Sequence, residues 1–322
     1  MNKIGNDTLK TVGFSDTSSQ DYLEKQVVLR DGRDAVVWVN KKTGHGILDS
    51  KYWESEDFYS EDYRKQFSAE VGRKVKAVEH LKIYNDLNEK QFRTFAHLLD
   101  KKTKFLEIGC SFGGILKRVV GFGPDVCHAV EPNKEDAEFV KEENQRVEIF
   151  NTTFEDAPLK NDFYDMIVSI EVLEHVVSPG KFLEKCFKVL KKGGTIHLEV
   201  PNHDDVLLSS YENKTYKNFY YHKAHIHHFT KSSLELLCRQ CGFDGQASSF
   251  LMYPFFNHVW WTQNQKPQPS AVSALGILQP TDSKTEAKRA INDFYKKTEQ
   301  DYERLINNFM LGDCLIFQGK KK

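Results

Sequence analysis

Two groups of residues in this 322-residue chain have the types and spacings that chemistry needs. The first is Glu171-x-x-Glu174-His175, which sets two carboxylates and an imidazole within one turn of chain, with His225 following at the head of His225-Ile226-His227-His228-Phe229-Thr230. Glu171, Glu174, His175 and His225 would offer oxygen and nitrogen donors to a divalent ion that binds an acceptor's hydroxyls and lowers their pKa. Without a metal, the imidazole of His175, His225 or His228 is a general base suited to neutral pH, and His203 and His227 carry the same chemistry. The second group is Phe105-Leu106-Glu107-Ile108-Gly109-Cys110-Ser111-Phe112-Gly113-Gly114, an apolar run that breaks into glycines. Gly109 and Gly113 let the backbone bend and approach a ligand closely. Free N–H groups at the start of the next helix favour an anionic group. The turn is therefore built for a nucleotide-like or carboxylate-bearing cofactor. Glu131, about one βαβ step onward, is placed to accept both hydroxyls of a ribose.

These groups need a sheet to hold them. Phe105–Ile108 reads as a buried parallel strand and Ile115–Val120 as the helix after the turn. A second strand, Cys127–Val130, ends on Glu131-Pro132-Asn133, and a third, Val147–Phe150, leads into the polar loop Thr153-Phe154-Glu155-Asp156. That loop is placed to meet an adenine edge. The fourth strand, Tyr164–Ile170, runs into Glu171; Pro179–Lys192 reads as a helix stopped by Gly193-Gly194; Thr195–Val200 is the fifth strand. Upstream, Gln26–Arg30 and Ala35–Val39 form a hairpin about Asp31-Gly32. Residues 1–20 have the composition of a disordered tail, and Tyr52–Tyr63 is aromatic and acidic. A helical pattern then covers Phe67–Leu99. Downstream, Tyr211–Phe229 is a loop rich in tyrosine and histidine that leaves the carboxyl end of the fifth strand, so it faces the acceptor. Ser232–Cys241 reads as a helix, Thr262–Pro280 as a loop, Lys284–Met310 as an amphipathic helix and Asp313–Gln318 as a last strand.

The order of these motifs resembles a class I S-adenosylmethionine-dependent methyltransferase, closely over Thr103–Gly242, and in particular the bacterial enzymes that act on sugars and secondary metabolites. The resemblance implies an α/β fold: a doubly wound, mostly parallel seven-stranded sheet, with the last strand antiparallel beside the fifth. An N-terminal cap would occupy 1–100 and the core 101–322, with 255–311 an insertion that covers the acceptor or makes a dimer contact. It implies that Glu107, Gly109, Cys110 and Gly113 sit under the methionine part of S-adenosylmethionine. Glu131 and Pro132 would hold the ribose, Thr153, Phe154 and Glu155 the adenine, while Glu171 lines the pocket. Ser111 stands where the family often has glycine, and it also breaks the G-x-G-x-x-G pattern of a nicotinamide dehydrogenase, the rival on the same fold. Glu171-x-x-Glu174-His175 with His225 resembles the metal site of small-RNA 3′-terminal 2′-O-methyltransferases, and its first part recurs in ubiquinone-pathway O-methyltransferases. Some relatives carry a cysteine-rich zinc knuckle before the core; here no cysteine precedes Cys110. Tyr59 and Tyr63 are candidate walls of a lid in that cap.

Composition narrows the reading. A net charge of −1, with 28% charged residues and no basic stripe, disfavours a nucleic-acid acceptor. No apolar run is long enough to span a membrane, and Met1–Asp21 has no hydrophobic signal segment. Six scattered cysteines fit a reducing, cytoplasmic compartment. Cys238-x-x-Cys241 reads as two small apolar residues at a helix end, with no second pair to complete a zinc site. The expectation is O-methylation of a sugar or small hydroxylated metabolite, by a chain able to form a homodimer. N-methylation of an amino sugar, metal-dependent 2′-O-methylation of RNA and a non-catalytic binding module of the same fold are the alternatives.

Overall fold

The computed structural model describes residues 4, 5, 8, 9, 18–53 and 75–322. Tyr59, Tyr63 and the start of the helical pattern at Phe67 lie outside them. Within them, Ile4 and Thr8 are buried, and the Thr8 hydroxyl bonds Ser50 Oγ at 3.0 Å, so part of the tail expected to be disordered is packed.

Three strands open the chain: β1 (Tyr22–Val28), β2 (Asp34–Asn40) and β3 (Gly46–Leu48). The β1–β2 turn is Asp31-Gly32, with Gly32 at φ +85° and Leu29 N–H donating to Arg33 O. Helices α1 (Ala77–Ile83) and α2 (Asn85–Phe95) lead to β4 (Lys104–Ile108). The chain continues through α3 (Gly114–Phe122), β5 (Val126–Val130), α4 (Lys134–Glu143), β6 (Glu148–Phe150), β7 (Tyr164–Ile170), α5 (Pro179–Val189) and β8 (Leu190–Pro201). Next come α6 (Val206–Ser209), α7 (Lys214–Tyr220), β9 (His227–His228), α8 (Lys231–Gln240) and β10 (Phe243–Phe250). Then follow α9 (Phe255–Asn264), α10 (Ala271–Leu275), α11 (Glu286–Asn308) and β11 (Cys314–Lys321).

The central sheet has seven strands in the order β10-β11-β8-β7-β4-β5-β6. Its middle is parallel, and β11 lies antiparallel between β8 and β10. After β4 the chain moves to β5 on one side, then returns to β7 on the other, so the order reverses at β4/β7. In such sheets the crevice beyond the strand ends at this point receives the ligand. The parallel strands read as apolar runs because both faces are covered: Phe105, Leu106, Ile167, Val168, Ile196 and Leu198 are all buried.

Two expectations are corrected. The helix at Pro179 stops at Val189, and Gly193-Gly194 lies inside β8, because Leu190 pairs with Tyr164 across a register shift. The glycines accommodate an irregular strand, with Gly193 at φ +75°. The segment Tyr211–Phe229 is not all loop either. It holds α7 and β9, and β9 completes a four-stranded antiparallel sheet, β1-β2-β3-β9. The cap thus shares a sheet with the histidine segment.

At Gly46, which pairs with His228, an added Cβ would meet His203 Cε1 at 3.0 Å and His228 Cβ at 3.1 Å. Gly46→Val is expected to destabilise the protein by about 1–3 kcal/mol through overpacking. An unchanged denaturation midpoint would mean that β3 and β9 separate without cost.

Candidate functional site

The Gly-rich turn follows from backbone geometry. Gly109 (φ +76°), Ser111 (φ +52°) and Gly113 (φ +75°) all take the left-handed conformation between β4 and α3. A Cβ on Gly109 would lie 2.4 Å from Val172 Cγ2, so glycine lets the turn pass the segment after β7. Ser111 adopts the strained conformation despite its side chain. Its N–H donates to Glu131 Oε2 at 2.8 Å, while Asn133 N–H donates to Glu131 Oε1 at 2.9 Å. The Glu131 carboxylate thus ties the turn to the entry of α4.

Glu107 in β4 is buried, and its Oε2 has no hydrogen-bond partner. Burial, then the charge of Glu131, holds the Glu107 carboxyl well above the usual range. An orphaned acceptor beside a glycine turn fits a cofactor that brings an amine and a ribose. Cys110 is packed inward, with burial raising its thiol, so it offers only its backbone. Phe154 is likewise buried, its ring 4.8 Å from that of Phe182, whereas Thr153 is half-buried and Glu155 exposed. The adenine loop therefore presents backbone and polar side chains. The side-chain amide of Asn151 donates to the carbonyls of Glu131 and Pro132 and holds this edge together.

The residues after β7 divide. Glu174 and His175 meet His225, with one donor atom of each within 4.8 Å of the others. Glu174 Oε1 lies 3.4 Å from His175 Nε2 and 3.9 Å from His225 Nε2. His175 Nδ1 is 2.8 Å from Ala224 O, which fixes the tautomer with the proton on Nδ1 and the Nε2 lone pair toward Glu174. Glu174 is wholly buried and neither carboxyl oxygen has a hydrogen-bond partner. Burial pushes it up to about 8 and His175 down to about 4. Burial, then His222, His175 and His228, holds His225 well below its usual value. Both partners in this contact are thus neutral near pH 7.

Glu171 does not join that group. At φ +54° it turns away and meets Glu199 of β8 and Cys314 of β11 instead. Its N–H donates to Glu199 O at 2.9 Å, and Cys314 Sγ lies 3.5 Å from its Oε1. His228 stands behind His225, ring centroids 6.4 Å apart, and beside His203 at 5.3 Å. His203 Nε2 is 2.8 Å from the Tyr221 hydroxyl, which also accepts from Lys25 Nζ at 2.9 Å. His227 Nδ1 faces His45 Nε2 at 3.1 Å in the small sheet, away from Glu174's carboxyl. Sequence reasoning missed Glu199, Cys314, Gln91 and His45. Glu199 did carry a signal: an acid inside the apolar strand Thr195–Val200 has to be buried.

Two outcomes follow from this geometry. Ser111→Gly removes a left-handed non-glycine residue and is expected to stabilise the fold by up to about 1 kcal/mol; a lower denaturation midpoint would contradict the strain. Glu199 is pushed by burial from its ordinary 4.5 up to about 7, while Gln91 opposes the shift. A carboxyl raised in the folded state gives stability that is present below its ordinary pKa and lost as pH rises through its folded one. The melting temperature is therefore expected to fall between pH 5 and pH 8, and less steeply in Glu199→Gln. Parallel falls in both proteins would remove Glu199 as the cause.

Residues 81–248, just over half of the chain, match the family described as a methyltransferase domain. The sarcosine/dimethylglycine N-methyltransferase of Aphanothece halophytica is 27% identical over 142 residues, 39% of this chain and 51% of that protein. The ubiquinone biosynthesis O-methyltransferase of Vibrio atlanticus is 30% identical over 104 residues, 31% of this chain and 44% of that protein. The match thus spans about half or less of these two relatives. Among solved structures, the methyltransferase in complex with the Haloferax volcanii Trm112 methyltransferase activator aligns with a TM-score of 0.50. That alignment has 14% identity and covers 76% of this chain and 95% of that one, a likeness of fold. With the strand order, the glycine turn and the family match in agreement, the chain belongs to the S-adenosylmethionine-dependent methyltransferases.

Proposed function

We propose that the protein methylates a hydroxyl of a sugar or other small hydroxylated acceptor, held at the carboxyl edge of β7 and β8 against the histidine segment. The observation that carries this reading is the meeting of Glu174, His175 and His225 one strand away from the glycine turn. S-Adenosylmethionine supplies an electrophilic methyl group for in-line displacement. Glu107, Glu131 and the turn would hold the donor, and the acceptor has to be aligned with it and relieved of a proton. The imidazoles of His175 and His225 are neutral, so each has a lone pair for that proton. His228 acts on this reading through His225 and His203, as part of the wall.

One observation favours a divalent ion at the same place. A buried carboxylate with both oxygens lacking hydrogen bonds, next to two imidazole nitrogens, is a donor set suited to manganese, iron, cobalt or zinc. Glu174, His175 and His225 would hold it, and it would lower the pKa of an acceptor hydroxyl. Glu171 is not among these ligands.

The segment between β10 and β11 is read as a cover on the acceptor side. Tyr302 of α11 bonds His258 Nδ1 at 2.7 Å, and His258 Nε2 meets Asp313 Oδ1 at 3.0 Å, immediately before Cys314. All six cysteines are free, in keeping with a cytoplasmic setting, and among the described residues no helix is long and apolar enough to cross a membrane.

Calorimetric titration of S-adenosylmethionine and S-adenosylhomocysteine tests the donor site. Micromolar binding is expected, and Glu131→Gln should weaken it at least about tenfold by losing charge-assisted hydrogen bonds. No binding by the unaltered protein would sink the reading. His225→Ala should keep cofactor affinity while losing turnover. Loss of manganese or zinc uptake in the same variant would favour the metal, and unchanged uptake would exclude these ligands.

A further inference from the structure

Helix α11 holds to the body of the protein by one side and carries a second apolar stripe on another. Tyr302 and Ile306 are buried in one cluster with Leu251 and Trp261, and the Glu299 carboxylate accepts the Phe255 N–H at 2.9 Å. Nearer its start, the side-chain amide of Asn292 donates to Thr281 O at 3.1 Å, which binds the preceding loop to the helix. These contacts fix the helix about its axis. Ile291, Phe294, Leu305 and Phe309 are left outward, 44, 66, 53 and 68% exposed. At about 3.6 residues per turn, Ile291, Phe294 and Leu305 share one side, and Phe309 follows on that side just past the last turn. One apolar stripe is what packing on the body requires; a second, rimmed by charge, marks an interface.

The spacing and the charges of this stripe select its occupant. Along one flank the charges alternate: Asp293, Lys297, Asp301, Arg304. Read backwards, the same series is plus, minus, plus, minus, so a reversed copy of the helix opposes every charge with its opposite. In that arrangement Phe294 meets Leu305 and Ile291 meets Phe309, while Lys297 meets Asp301 and Asp293 meets Arg304. These pairings all share a midpoint within residues 298–300. Thr298, on the apolar side at that midpoint, is small, and its hydroxyl donates to Phe294 O of its own helix at 2.9 Å. Two backbones can therefore cross there without leaving a polar group unmet. Lys297 and Arg304 already reach Asp301 within the helix, at 2.6 and 3.2 Å, but their side chains are 74 and 70% exposed. Pairs that open to water exchange partners at little cost. The flank carries as many acids as bases, unlike the basic face of a helix that lies on a lipid surface.

We propose that α11 is the interface of a homodimer, in which the two copies pair antiparallel about a two-fold axis through residues 298–300. A self-complementary patch is what such an axis demands. One helix from each copy makes a small interface, so the dimer is reversible and depends on concentration.

Sedimentation velocity of the full chain over a dilution series tests this. The mass is expected to approach twice that of one chain at high concentration. Phe294→Glu with Leu305→Glu should give a monomer throughout; both residues are exposed, so an unchanged far-UV circular dichroism spectrum reports that the variant is folded. Arg304→Asp and Asp293→Arg should each weaken association by about tenfold, because each turns two symmetry-related attractions into repulsions. The two together should restore it. A monomer at every concentration, or a dimer that survives Phe294→Glu with Leu305→Glu, would overturn the proposal. Failure of the paired charge swap to restore association would overturn the antiparallel register. Binding of the unaltered chain to phosphatidylglycerol vesicles, lost in Phe294→Glu with Leu305→Glu, would assign the stripe to a lipid surface instead.

Discussion

The candidate site hangs on one carbonyl oxygen. Glu174 O accepts the backbone N–H groups of Ile226 and His227 at 2.9 and 3.0 Å, and Leu48 N–H of the cap donates to Ile226 O at 2.9 Å. These bonds join three parts of the chain that are far apart in sequence: the exit of β7, the histidine segment and the cap hairpin. Side chains follow from that register. With Ile226 and His227 fixed, His225 falls on the carboxyl of Glu174, His227 turns to His45, and His228 turns to His203. Because alternate residues of a strand face opposite ways, a slip by one residue would exchange these partners. The two-residue strand β9 thus sets which imidazole meets the carboxylate.

The same architecture explains why so many titratable groups are neutral. The cap closes over the sheet edge and buries Trp38, Ile47, Ile226 and Phe229 in one core with Leu106 and Leu198. Imidazoles and carboxyls caught under that cover lose water and move to their uncharged forms, His203 and His227 down to about 4 and Asp205 up to about 7. The exception is His258, held by Asp313 against burial so that its pKa is raised. That contact belongs to the connection between α9, α11 and the start of β11, so a buried charge attraction anchors the segment that leads into Cys314.

The core was legible in the sequence because its signals are local. Apolar runs at Phe105–Ile108 and Tyr164–Ile170, ended by glycine or acid, are what a strand buried on both faces requires. The site was legible only in part. Glu171 and Glu174 fall within one turn on paper, but the left-handed φ of Glu171 parts them, and no pattern of residue types reveals that. Gly193-Gly194 looked like a helix stop because glycine ends helices; pairing of Leu190 with Tyr164 starts the strand earlier and takes the glycines into it. β9 is too short to show a period of two, and its partner lies in the cap, so its pairing is a tertiary fact. Glu171, Glu199 and Cys314 come together from the ends of three strands, and only the sheet order puts them side by side.

On the proposed reading, the placement of carboxyls also answers a problem of charge. Methyl transfer from a sulfonium to a hydroxyl or amine removes one positive charge from a buried cavity and releases one proton. In a low-dielectric site either change alone is costly. A carboxylate that faces the cation before transfer and takes up the proton afterwards keeps the net charge of the cavity constant. Glu171, Glu174 and Glu199 suit this because burial raises each of them, with Glu199 near 7 and Glu174 near 8. A carboxyl at its usual 4 to 4.5 would stay ionised throughout and hold the cation more tightly than the neutral product. The burial that leaves these acids without partners in the folded chain is thus what would fit them to both sides of the reaction.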